Sequence, residues 1–177
     1  MYCTTSSEKR REKICMEKQK CVKLSERWFW MEGAIFDCPA AWEPALPSDV
    51  QRLKGEKEVS ARTWDLLALT PSGVRCLKTE VVRCRILLLP GTCPPELAAA
   101  AEAECIVSYG LSPRDSLTLS SLERPVLCVQ RSLPRPDGTV VEPQDLPLPP
   151  LPEPAEQMLP LLGLKLLHMP LTDSALL

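Results

Sequence analysis

Two short apolar runs, Cys84-Arg-Ile-Leu-Leu-Leu-Pro90-Gly91 and Glu104-Cys-Ile-Val-Ser-Tyr109-Gly110, constrain this chain more than any other feature. Each ends in a glycine, and a proline-started, alanine-rich segment lies between them. Cys93 is placed to cap that segment, with Pro94 as its first helical residue. There the missing N–H costs nothing, and Glu96 falls near the positive end of the helix dipole. The pattern predicts a β-α-β unit. The continuous apolar run Cys105–Tyr109 is that of a parallel strand buried on both faces. Ligand sites in open α/β sheets lie beyond the carboxyl ends of the strands, so attention falls on the residues that follow these two runs.

The surrounding sequence extends the sheet. From Arg62 to Leu69 the run Trp-Asp-Leu-Leu-Ala-Leu is apolar enough for a strand or a helix, and Thr70-Pro71-Ser72-Gly73 carries turn chemistry. Val74–Lys78 and Val81–Leu89 then read as strands, paired as a hairpin around Thr79-Glu80. Ser116–Ser120 alternates strictly, as a half-exposed strand does. Val126–Arg131 and Thr139–Glu142 flank Pro136-Asp137-Gly138, a strong hairpin signal. The expected fold is α/β: a small mixed sheet with a β-α-β unit followed by an antiparallel β-ribbon, over residues 61–142.

Outside that core four further segments are expected. Residues 1–31 form a polar helical extension; Met31 is an alternative start, which would leave them as an appendage. Trp28, Phe29 and Trp30 are its apolar cluster, suited to a core edge or a protein partner. Residues 32–60 read as an irregular linker, broken by Pro39, Pro44 and Pro47, with Ser48-Asp49 able to cap a short helix through Leu53. Residues 143–154, half of them proline, read as an extended spacer that could also dock in a partner's aromatic groove. Residues 155–177 supply a C-terminal helix, centred on Gln157–His168, and a tail.

Charge and cysteine usage exclude more than they reveal. A net charge of -2 over 177 residues gives no global case for nucleic-acid or membrane binding. The N-terminus lacks the apolar stretch of a secretory signal, and Met158–Met169 is too short and interrupted to span a bilayer. Nine cysteines occur without a single C-x-x-C, the spacing that fixes structural zinc, so neither a metal nor a cofactor is expected. They read as reduced, buried thiols in a cytoplasmic protein.

No catalytic motif appears. His168, the one histidine, has no nucleophile or carboxylate fixed beside it, and glycine-rich phosphate loops are missing. The best candidate site joins Gly91 and Thr92 to Tyr109, Gly110, Ser112, Arg114 and Asp115. These residues follow apolar strands, and the glycines allow close approach to a small anionic ligand. The bland reading of the same loop is a turn in which Asp115 caps or pairs with Arg114. A ligand-binding or accessory domain is therefore expected ahead of a transferase-like enzyme on an anionic substrate, or of an interaction scaffold using the proline tract.

Arg85-Ile-Leu-Leu-Leu-Pro-Gly91, Val107–Ser121 and Val141-Glu-Pro-Gln144 resemble an uncharacterised family of short bacterial proteins, over residues 84–148. The strand-Tyr-Gly element and following ribbon are similar to part of the central domain of Mur-type peptide ligases. The ATP-binding glycine-lysine loop of those ligases has no counterpart here. That resemblance implies a shared α/β scaffold and no ligase activity.

Overall fold

A computed structural model of the chain describes residues 31–78, 81–121 and 124–168. The chain divides into two units, Met1–Met31 and Glu32–Leu177. The expected N-terminal helix, the Trp28–Trp30 cluster, the Thr79-Glu80 turn and the C-terminal tail lie outside the described residues.

The second unit is built on one sheet. Its elements in chain order are β1 (Gly33–Phe36), a 3-10 helix (Ala40–Ala45), β2 (Val50–Leu53), α1 (Glu56–Ser60), β3 (Trp64–Leu69), α2 (Pro71–Cys76) and β4 (Arg83–Pro90). There follow α3 (Pro95–Ala100), β5 (Glu102–Tyr109), β6 (Leu117–Leu119), β7 (Val126–Val129), β8 (Leu133–Pro134), β9 (Val140–Val141), β10 (Gln144–Pro147) and α4 (Ala155–His168). Eight strands hydrogen-bond in the order β10-β7-β6-β5-β4-β3-β1-β2, and β8-β9 form a separate ribbon. Strands β1 to β6 run parallel, whereas β7 is antiparallel to both β6 and β10. The predicted β-α-β unit is β4-α3-β5, its strands in parallel register from Arg83↔Glu102 to Pro90↔Tyr109.

Each face of the sheet buries its own apolar cluster. Ile35, Leu66, Leu88, Val107 and Leu117 pack with α4, with Trp42 of the 3-10 helix, and with Leu133 and Val141 of the ribbon. Phe36, Leu67, Leu69, Leu87 and Leu89 pack with Val59 of α1 and Val74 of α2. The β1-to-β2 connection thus lies on the α4 face and the β2-to-β3 and β3-to-β4 connections on the other. That makes the sheet doubly wound, with its switch point between β1 and β3. Helix α4 is apolar nearly all round, and eleven of its fourteen residues are buried. It comes close to the sheet at Gly163, where an added Cβ would sit 2.8 Å from Leu117 Cδ1 and 2.9 Å from Leu88 Cδ2.

Several expectations are corrected. Residues 32–60 are not an irregular linker: they supply β1 and β2, which extend the sheet in parallel beyond β3, and Val50–Leu53 is strand rather than helix. Val74–Lys78 is not a strand, because the Thr70 hydroxyl accepts from the Gly73 amide at 3.0 Å and caps α2, with Pro71 opening the helix. Local capping here outweighs the strand preference of Val74. Helix α3 begins one residue later than read, with Pro94 rather than Cys93 at its cap. Strand β5 is not buried on both faces, since Ile106 is 43 % exposed. Nor is β6 half exposed: Leu117 and Thr118 are both buried. The Pro136-Asp137-Gly138 turn is present, with Gly138 at φ 86, but it joins Leu133–Pro134 to Val140–Val141. Finally, residues 143–154 are not only a spacer. Gln144–Pro147 pairs with β7 as an edge strand, where a proline without an N–H is tolerated. Trp42 Nε1 also donates to Glu153 at 3.1 Å, fastening the tract to the 3-10 helix.

Candidate functional site

The predicted site residues gather at the carboxyl ends of β4 and β5, and the reason for the two glycines is plain there. Gly91 N donates to Tyr109 O at 2.8 Å, and Gly110 N to Leu117 O at 3.0 Å. Between them lies the carboxylate of Asp115, a residue only 5 % exposed. A Cβ added at Gly91 would lie 2.7 Å from Asp115 Cγ and still nearer to Oδ1, and one at Gly110 would press on Oδ2. The close approach that the glycines allow is to Asp115 itself.

Asp115 is held by a reciprocal pair of bonds. Its Oδ2 accepts from Ser112 N at 3.2 Å, and its own N–H donates to Ser112 O at 3.0 Å. The Ser112 hydroxyl accepts from Arg114 N at 3.2 Å, so residues 112–115 form a self-bonded loop. Arg114 is exposed, and no ion pair joins it to Asp115 among the described residues. Its carbonyl instead accepts from Arg131 at 2.6 Å. Thr92 is exposed beside Gly91.

Tyr109 points away from solvent. Its hydroxyl crosses β4 and donates to Leu69 O on β3 at 2.7 Å. Burial, with a smaller contribution from nearby Cys93, pushes the phenol well above its ordinary range, so it stays protonated. It is a strut between strands rather than an acid or base. Thiols behave alike: burial raises Cys38, Cys93, Cys105 and Cys128, and raises Cys84 to about 12 with help from Glu104. A thiol so shifted carries little thiolate near neutral pH and is a poor nucleophile. Among the described residues no group of three or more His, Cys, Asp or Glu is arranged to hold a metal ion.

The switch point itself carries residues that sequence reading passed over. Asp37 follows β1 at φ 55, a conformation that Asp tolerates better than most residues. Thr70 Oγ1 lies 3.1 Å from Phe36 O and 3.0 Å from Asp37 O, and the Ser72 hydroxyl donates to Asp37 O at 3.2 Å. The ends of β1 and β3 are thereby laced together. The Thr-Pro-Ser-Gly motif was the available signal, but its partner strand lay in the segment read as irregular.

His168 stands elsewhere. Its ring lies against Gly33, at the opposite end of β1, and Nε2 pairs with Asp49 at 2.9 Å. Arg135 lies near the same helix end, donating to Leu167 O at 3.4 Å. Both are buried and remote from the Gly91–Asp115 cluster in the sheet. No protein-family model, curated protein or solved structure matches the chain.

Proposed function

We propose that this domain is a non-enzymatic ligand-binding or accessory module whose ligand sits over the carboxyl ends of β1, β3, β4 and β5. The observation that carries the reading is the Asp115 carboxylate. The residue is 5 % exposed and lies at the strand ends between Gly91 and Gly110, where the Ser112 N–H donates to its Oδ2. A carboxylate has more acceptor capacity than one amide uses, and one at the strand ends is placed to accept from a ligand N–H or O–H. The Asp37 backbone and the Ser72 hydroxyl stand at the neighbouring switch point, where doubly wound sheets hold their ligands. This favours a ligand that presents donors at Asp115, with Arg114 left to meet any anionic group at the rim.

With their raised pKa values, Cys84 and Tyr109 are not activated nucleophiles or bases near neutral pH. The six described cysteines are free, in keeping with a cytoplasmic setting. No described helix is long and apolar enough to cross a membrane. The Mur-type resemblance enters this proposal only as a likeness of scaffold.

A thermal-shift screen against nucleotides, sugar nucleotides, amino acids and acidic metabolites tests the reading. A ligand at about 100 times its Kd adds roughly 2.7 kcal/mol to the folded state. The expected hit weakens in Ser72→Ala and Arg114→Ala, two variants at the edge. A clean melt with no hit, or a hit indifferent to both changes, defeats it. A second reading, protein interaction, rests on a groove of about 680 Å³ lined by Pro125, Pro147, Pro149, Pro150 and Leu151. Loss of a concentration-dependent increase in mass on replacing Pro149 and Pro150 by Ser would favour that reading.

A further inference from the structure

Helix α3 is the least embedded helix of the domain. It runs Pro95-Glu-Leu-Ala-Ala-Ala100, and none of its six residues is buried. Alanine side chains do not fill the space between a helix and a sheet. Beside α2 they leave an apolar groove of about 350 Å³, floored by Val74, Leu77, Val82 and Leu97. That volume falls in the range of small-molecule sites. Two side chains of opposite charge line the same groove: Lys78, just after α2, and Glu96, in the first turn of α3. Neither forms an ion pair with the other or with any other described residue.

We propose that this groove binds a free α-amino acid with an apolar side chain. Its carboxylate would meet Lys78, its ammonium Glu96, and its side chain the floor of Val74, Leu77, Val82 and Leu97. A fatty acid would answer Lys78 and leave Glu96 facing a like charge or hydrocarbon. A simple amine would do the reverse. A zwitterion with an apolar body offers a partner to each of the two charges and to the floor, and charge-assisted hydrogen bonds of this kind are the strong ones. The site is independent of the strand-end proposal, since the two share no residue.

Calorimetric titration of the full chain with L-leucine and L-phenylalanine is the direct test. Saturable binding is expected for both, with N-acetyl-L-leucine and L-leucinamide, each lacking one charge, weaker by about tenfold or more, which is about 1.4 kcal/mol. Lys78→Met should weaken leucine by a similar factor, and Glu96→Gln likewise. Ala100→Leu, which fills the groove from an exposed position, should abolish binding while the domain still melts cooperatively. Should that variant misfold, the two charge variants decide alone. Absence of binding at millimolar ligand overturns the proposal. So does equal affinity for leucine and its two singly charged derivatives, or undiminished binding in Lys78→Met and Glu96→Gln.

Discussion

Replacing Gly91 by Ala isolates the contact that organises the strand ends. Gly91 does not use a positive φ, so alanine meets no backbone penalty there and the effect is steric. The new methyl would stand 2.7 Å from Asp115 Cγ, 2.9 Å from Oδ2 and closer still to Oδ1, so the carboxylate has to leave its place. Crowding a packed site costs about 1–3 kcal/mol, and losing the Ser112 N–H bond to a charged acceptor adds about 1.5–3 kcal/mol. A loss of about 2.5–6 kcal/mol is therefore expected. Asp115→Ala alone should cost about 1–3 kcal/mol, through the bond and the unpaired Ser112 amide. In the double variant the two added groups no longer meet. It should be no less stable than Asp115→Ala, and alanine's smaller unfolded-state entropy can return about 0.4–1 kcal/mol. Urea denaturation followed by the fluorescence of buried Trp42 and Trp64 gives all three values from Cm at constant m. Additive costs in the double variant, or a Gly91→Ala protein as stable as the parent, would refute the reasoning.

Other expectations follow from single contacts. Tyr109→Phe removes the donor to Leu69 O and should destabilise by about 1–3 kcal/mol in the same denaturation assay. Gly163→Ala should lower Tm in calorimetry despite alanine's better helix propensity, because the added Cβ meets Leu88 and Leu117; overpacking of about 1–3 kcal/mol exceeds a propensity gain of about 1 kcal/mol. Cys84, buried and raised to about 12, should resist alkylation near neutral pH while exposed Cys76 reacts, as read by mass spectrometry of labelled peptides. The sign is fixed by the upward shift: at a given pH below 12 a raised pKa leaves less thiolate, so labelling of Cys84 should await denaturant.

The parts of the fold legible in the sequence are those where local chemistry and tertiary packing agree. The β4-α3-β5 unit reads directly, because Pro94, Glu96 and the alanines all favour the helix that forms between two apolar runs. Helix α4 reads through Pro160 and Gly163 because its leucines outnumber them. β1 and β2 do not read, since each has only four residues and prolines crowd the stretch between them. Only their place in a sheet reveals them. β10 is hidden for a related reason: Pro147 signals an extended spacer, and nothing local says that β7 lies alongside. At the candidate site the glycines signal a close approach, expected to be that of a ligand. The group that approaches, Asp115, sits 24 residues after Gly91, and the distance along the chain gave no hint of it.

The position of α4 governs the order in which this chain can be finished. It is the last described helix, yet it lies against β3, β4, β5 and β6, which are complete by Leu119. On the ribosome, at roughly 5–20 residues per second, those strands emerge seconds before the helix that covers them. During that interval Leu66, Leu88, Val107 and Leu117 have no α4 to bury them. The parallel sheet cannot mature as it is made, and it depends on a contact closed across about a hundred residues of chain, which slows folding. Chains cut short before Ala155 should therefore be far more prone to aggregate than their length alone suggests.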